Sequence, residues 1–222
     1  MNIPRAYDAR FKTHFRMLLA GPSGSGKTLW VYQLIKYHNL LLDKPPAKIL
    51  FYYSIWQPIY SELTKNNIVS EFRKGFPTID EIEDLNTYSN IGGSLVIIDD
   101  QALNIDKNAA KIFTVTARHS AVSLILLTQN LFMKQPFFRD ISLQATYIVL
   151  FKNPRDRSAI KYLAQQIMPN NTQFVLKTFD NALKSAYSYL IIDLHQQTND
   201  NIRYRTNIFP HEKPLTVYVP RL

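Results

Sequence analysis

The segment GPSGSGKT, Gly21 to Thr28, decides how this chain is read. It matches G-x-x-x-x-G-K-[ST] and gathers three of the chain's 6 glycines. The apolar run RMLLA (16–20) precedes it. LWVYQLIKYHNLLL (29–42), whose apolar residues recur at helical spacing, follows it. A strand that feeds a glycine-rich turn and then a helix is the setting in which backbone N–H groups cradle a phosphate chain. Side chains at Gly21, Gly24 and Gly26 would restrict the backbone or block that approach. Ser23 and Ser25 complete the loop. Lys27 is expected to reach the β- and γ-phosphates of ATP, and Thr28 to ligate Mg²⁺ through its hydroxyl.

Outward from that loop, SLVIIDD (94–100) reads as a buried strand ending in two carboxylates. Ligands of open α/β sheets bind at the carboxyl ends of the strands. Asp99 is therefore expected to hold the Mg²⁺, and Asp100 to orient or deprotonate the attacking water. AVSLILLTQ (121–129) is a further strand, with Gln129 at its tip as a sensor of the γ-phosphate. A strand added between the P-loop strand and its neighbour is typical of P-loop enzymes that hydrolyse ATP with a carboxylate. Arg118, in TARHS, is the candidate for an arginine donated to a neighbour's γ-phosphate, a contribution of roughly 10³–10⁵ in rate. Arg139, Arg155 and Arg157 are its rivals. His119 and His195 read as packed or surface imidazoles, and no His or carboxylate cluster points to a second metal.

AKILFYY (47–53), ATYIVLF (145–151), AYSYLIIDL (186–194) and IRYRTNIF (202–209) add strands. Helical patterns cover 108–118 and 157–168, and Thr78 three residues before Glu81 is a capping-box signature. The strands are continuous apolar runs rather than alternating ones, as when helices cover both faces. The expected fold is a P-loop NTPase of the α/β class. It is a three-layer sandwich on a mainly parallel sheet, RecA/ASCE-like. The expected organisation is an N-terminal extension (1–14), an ATPase domain (15–210) and an extended, loosely held tail (211–222).

Of 222 residues, 46% are hydrophobic and 19% charged, ordinary for a folded protein. There are no cysteines, which excludes disulfides and thiolate metal sites. The start has no apolar core of a signal peptide, and no apolar run is long enough to span a bilayer. The expectation is an intracellular, unsecreted protein. A formal net charge of +9 favours polyanionic partners, nucleic acid first. Basic residues gather in FKNPRDRSAIK and at Arg203 and Arg205, which would share one strand face. Such groups could follow a phosphate backbone without reading bases. A solvated face or an oligomer contact is the alternative.

Taken together, LLAGPSGSGKT, LVIIDD, ARHSAVSLILLTQNLF, RDISLQATYIVLFKNPRD and YLIIDL with RYRTNIFP resemble the viral genome-packaging ATPases of the FtsK–HerA superfamily. The likeness is strongest to those of Polinton elements and adintoviruses, with the poxvirus type more distant. It runs from about Phe15 to Pro210. It implies an ATP-driven motor that moves double-stranded DNA into a capsid and works as a homo-oligomeric ring. The ring would meet capsid proteins in the host nucleus or a cytoplasmic virus factory, with association to the virion. On that likeness Lys27 and Thr28 serve the P-loop, Asp99 the metal, Asp100 the water and Gln129 the sensor. The family often has Glu at the second acid, where this chain has the shorter Asp100. A P-loop nucleotide kinase and an assembly protein that binds ATP with negligible turnover stay open as alternatives.

Overall fold

A computed structural model describes residues 7–66, 68–99, 105–133, 137–155 and 157–220, without the side chain of Arg118. Among these, nine strands form one sheet. They are β1 (Arg16–Ala20), β2 (Lys48–Tyr53), β3 (Glu71–Lys74), β4 (Ser94–Asp99), β5 (Val122–Thr128), β6 (Tyr147–Phe151), β7 (Tyr189–Asp193), β8 (Tyr204–Thr206) and β9 (Thr216–Tyr218). Their order is β3-β2-β4-β5-β1-β6-β7-β8-β9. Every pair from β3 to β6 is parallel, while β7, β8 and β9 extend the sheet antiparallel. Flanking helices complete a RecA-like P-loop NTPase fold. β5 pairs with both β1 and β4, so it is the expected added strand.

β4, β5 and β6 are buried at every position, which explains their unbroken apolar sequences. Alternate residues feed two separate cores. Met17 and Leu19 pack with Trp30, Val31, Leu34 and Ile35 of helix α1 (Lys27–Lys36). Leu18 and Ala20 face the other layer, formed by helices that include Arg157–Ile167 and Thr172–Ala182. The Thr78–Glu81 capping box is present in full at the start of helix Ile79–Asp84.

Several elements depart from the sequence reading. Helix α1 ends at Lys36, and a short turn of helix, His38–Leu41, follows instead of one long helix. β3, with the sequence EFRK, escapes hydrophobic patterning because it is an edge strand. Its Arg73 bonds Glu71 and Glu81, as suits an edge that must not pair further. Helix Thr172–Ala182 buries Val175, Phe179 and Ala182 and is capped by the Asn171 side chain. The described part of the tail is tied to the sheet at two places. β9 pairs with β8, and the Glu212 carboxylate accepts from the Tyr189 hydroxyl and the Phe209 N–H. Upstream of β1, Phe11 is buried and packs edge-on to Tyr147 at 4.9 Å.

The expected basic strand face at Arg203 and Arg205 is also corrected. Arg205 is fully buried, because β8 lies inside the sheet and Phe11 covers it. Its Nη1 donates to Asp193 Oδ2 at 2.9 Å and to the Ile202 carbonyl at 2.9 Å. Arg203 donates to the Asp193 and His195 carbonyls and to Asp200. Both guanidinium groups join strand ends within the chain rather than face a polyanion. Removing one partner of a buried ion pair leaves an uncompensated charge, at a cost of about 3–5 kcal/mol. Asp193→Ala is thus expected to lower unfolding stability by that amount, read as a drop in urea midpoint. The double change Asp193→Leu with Arg205→Met should recover most of the loss. Equal stability of Asp193→Ala and the parent would contradict a structural role for the pair.

Candidate functional site

The strand ends that matter lie at one edge of the sheet because the register forces them there. Ala20 is level with Thr128 on one side and Leu150 on the other. β4 ends at Asp99, one residue past the Ile98–Leu126 pair. At this edge the chain leaves β1 through Gly21 and turns into α1. Gly24 and Gly26 have φ of +74° and +98°, which L side chains rarely adopt. Gly21 is needed for a different reason. A Cβ there would stand 2.6 Å from Cβ of Phe151 and 2.8 Å from Oγ of Ser25. Gly26 caps α1 without any side-chain hydrogen bond, so the first N–H groups of the helix face the loop.

A pocket of about 490 Å³ opens over this loop, walled by Ser23 to Leu29, Asp99, Thr128, Gln129, Gln57 and Tyr187. Lys27 lies across the loop and donates from Nζ to the Gly21 and Pro22 carbonyls at 2.6 and 3.0 Å. Thr28, at the first turn of α1, donates from Oγ1 to Asp99 Oδ2 at 3.0 Å, although 71 residues separate the two. Asp99 is only 4% exposed, so its carboxylate depends on such donors. A second comes from the buried Tyr60, whose hydroxyl donates to the same oxygen at 2.8 Å. Thr128 ties the end of β5 to β1 by donating to the Leu19 carbonyl.

The structure thus brings together Gly21, Ser23, Gly24, Ser25, Gly26, Lys27, Thr28, Asp99 and Gln129. Asp100 lies outside the described residues. Arg118 is not brought to this pocket. Its backbone is in helix Ala117–His119, before β5 begins, so the strand's length of roughly 20 Å separates it from the loop edge. Arg139 likewise precedes β6. Arg155 and Arg157 follow β6 and are exposed at the loop edge, where Arg157 pairs with Asp180 at 2.6 Å. His119 and His195 do not line the pocket. Among the described residues no group of three or more His, Asp or Glu could hold a metal, and no helix is long and apolar enough to cross a membrane.

Sequence reasoning missed Tyr60, Gln57 and Tyr187. Tyr60 has no motif. Its place follows from helix Pro58–Lys65 packing on the α1 side of the sheet beside β2. Gln57 is the residue before that helix, and the proline at the helix start was the available sign of it. Tyr187 comes from the loop before β7, which reaches the site only because β7 folds back antiparallel on β6.

The group most plainly compatible with this chemistry is a phosphate chain with a small hard cation. The loop holds a cradle that Cβ atoms would fill. A cation such as Mg²⁺ is commonly bound by one or two carboxylates and phosphate oxygens rather than by a protein cage. Proteins of similar fold are known. The genome packaging NTPase B204 of Sulfolobus turreted icosahedral virus 2, solved with AMP, is 19% identical with a TM-score of 0.54. That match covers 83% of this chain and 94% of B204. The same enzyme with ATP-γS matches with a TM-score of 0.51 at 19% identity, over 94% and 98% of the two chains. At such identity the likeness is one of fold. No curated protein sequence matches. The family model described as Poxvirus A32 protein matches residues 5–135, more than half of the sequence. The chain belongs to the poxvirus A32 protein family.

Proposed function

We propose that this protein is an ATP-hydrolysing motor of the FtsK–HerA superfamily, close to the Polinton type, that translocates double-stranded viral DNA into a capsid. The observation that carries the reading is the Thr28–Asp99 hydrogen bond at the foot of the glycine-rich loop. It joins the two side chains that would hold Mg²⁺. Bound magnesium would supply charge neutralisation on the triphosphate. The chain's own groups do the rest. The loop amides and the start of α1 bind and orient the phosphates. Lys27, already over the loop, turns its ammonium toward the β- and γ-oxygens. Asp99 and Thr28 hold their oxygens toward the cation, with Tyr60 fixing the carboxylate. Asp100 orients the attacking water and takes its proton, and Gln129 positions that water. The strand order supports hydrolysis over transfer to an acceptor, because β5 separates the two strands that carry the loop and the carboxylate. B204, which shares the fold, is named a genome packaging NTPase.

Residues 15–210 are taken as the ATPase unit, with Phe11 and β9 as packed flanks. The ring and its contacts with capsid proteins follow from the superfamily reading. In such a ring a neighbour's arginine would complete each site. Arg155 is the better candidate than Arg118, being exposed on the edge that carries the loop. The net charge of +9 and the exposed Lys152, Arg155, Arg157 and Lys161 fit a partner held by its phosphates.

The decisive experiment measures ATP turnover with and without long duplex DNA, alongside native mass. Turnover stimulated by DNA in an oligomer is expected, with DNA affinity falling steeply between low and physiological salt. Affinity indifferent to salt would remove the motor reading. Lys27→Ala should lose nucleotide binding. Asp100→Asn should keep binding while turnover falls roughly 10²–10⁴-fold. A parent protein that binds ATP but turns over no faster than Asp100→Asn would instead favour an assembly protein. Tyr60→Phe removes only the donor to Asp99. Changes to residues that orient a metal ligand typically cost about 10–100-fold in metal affinity or activity. The Mg²⁺ concentration for half-maximal turnover is expected to rise within that range, and an unchanged value would deny Tyr60 its orienting role.

A further inference from the structure

The pocket has two unlike ends. At one end are Asp99, Thr28 and Gln129, on or beside β4 and β5. At the other, across β1 and β6, is Tyr187 from the loop before β7, and Leu29 of α1 lines the same pocket. Tyr187 is 68% exposed and Leu29 48%, so both offer apolar surface to the pocket they line. The backbone of Tyr187 is left-handed, with φ of 60°, a conformation that is uncommon for a bulky side chain and that concentrates at ligand sites. Its ring is held against the loop. A Cβ built on Gly26 would meet Tyr187 Cδ1 at 3.3 Å and Cβ at 3.6 Å. The support is rigid as well. Tyr189, two residues on, pairs with Phe151, the same residue that closes on Gly21. The turn before it is tied by Ser188 Oγ donating to the Ser185 carbonyl at 2.7 Å.

We infer that Tyr187, with Leu29, is the platform on which the nucleoside end of the bound nucleotide rests, the base stacking on the tyrosine ring. The inference rests on the P-loop reading above. With the terminal phosphate at Asp99, Tyr187, packed on Gly26 and the one aromatic side chain among the described residues that line this pocket, is placed to meet the nucleoside. An aromatic face suits a base, since every base offers a π-face. Leu29, exposed in the same pocket, adds apolar area without a hydrogen-bonding group. The platform therefore reads planarity rather than the pattern of donors and acceptors, and guanine should be accepted nearly as well as adenine.

Calorimetric titration with Mg·ATPγS and with Mg·tripolyphosphate separates this platform from the loop itself. In the unaltered protein both are expected to bind. Tyr187→Ala should weaken ATPγS roughly 5- to 150-fold, the range of aromatic–base stacking, and leave tripolyphosphate within about twofold. Tyr187→Phe should retain ATPγS affinity. Tyr187→Gly accepts the left-handed backbone without strain and should behave like Tyr187→Ala, which excludes a conformational cause. Unchanged ATPγS affinity in Tyr187→Ala, or equal weakening of both ligands, overturns the platform while leaving the loop intact. Binding of neither ligand to the unaltered protein overturns the P-loop reading itself, and the platform with it.

Discussion

The Asp99 carboxylate, nearly excluded from water, governs the architecture of the site. A buried charge is tolerated only when donors surround it. Its donors include Thr28, from the first turn of α1, and Tyr60, from helix Pro58–Lys65. Three elements that are remote in sequence are therefore held at one point. The same point ties the glycine-rich loop to the end of β4, so the proposed phosphate loop and the candidate metal ligands share one origin. Apolar packing positions the strands to within their register, and hydrogen bonds such as these orient the carboxylate.

The parallel half of the sheet carries the site, and the antiparallel half stiffens it. β7 folds back on β6 and brings its leading loop over the helix start. β8 and β9 then extend the sheet outward, and Arg205 locks the arrangement from inside through Asp193. The Asp193 carboxylate also accepts from the His195 N–H and the Thr198 hydroxyl, so the turn after β7 and the start of β8 depend on one side chain. Charge that reads as a surface for a polyanion is here spent on the interior.

The cationic groups that stay outside have a distribution of their own. Lys152, Arg155 and Arg157 follow β6 on the loop edge, while the backbone of Arg118 lies before the opposite end of β5. Any assembly in which one chain completes another's site has to bring a neighbour against that edge. The exposed Ile55 and Trp56 stand on the loop after β2, near Gln57 of the pocket wall. Trp56 touches Tyr60 at 5.5 Å between ring centroids, so this surface reaches Asp99 through one buried aromatic ring.

Local sequence determined a good part of this protein. Gly21 to Thr28 specified a strand–loop–helix because glycine dihedrals and the helix start are short-range properties. The buried strands declared themselves because both of their faces are covered, and Thr78 with Glu81 declared a helix start through hydrogen bonds three residues apart. Asp99 was legible because it ends such a strand. Tertiary structure alone decided the rest. Arg205 lost its apparent role because burial depends on which chain segment, here Phe11, lies over a strand. β3 and β9 became strands by pairing with edges that other strands had already formed. Tyr60 and Tyr187 joined the site through packing and an antiparallel return, contacts that no local pattern encodes.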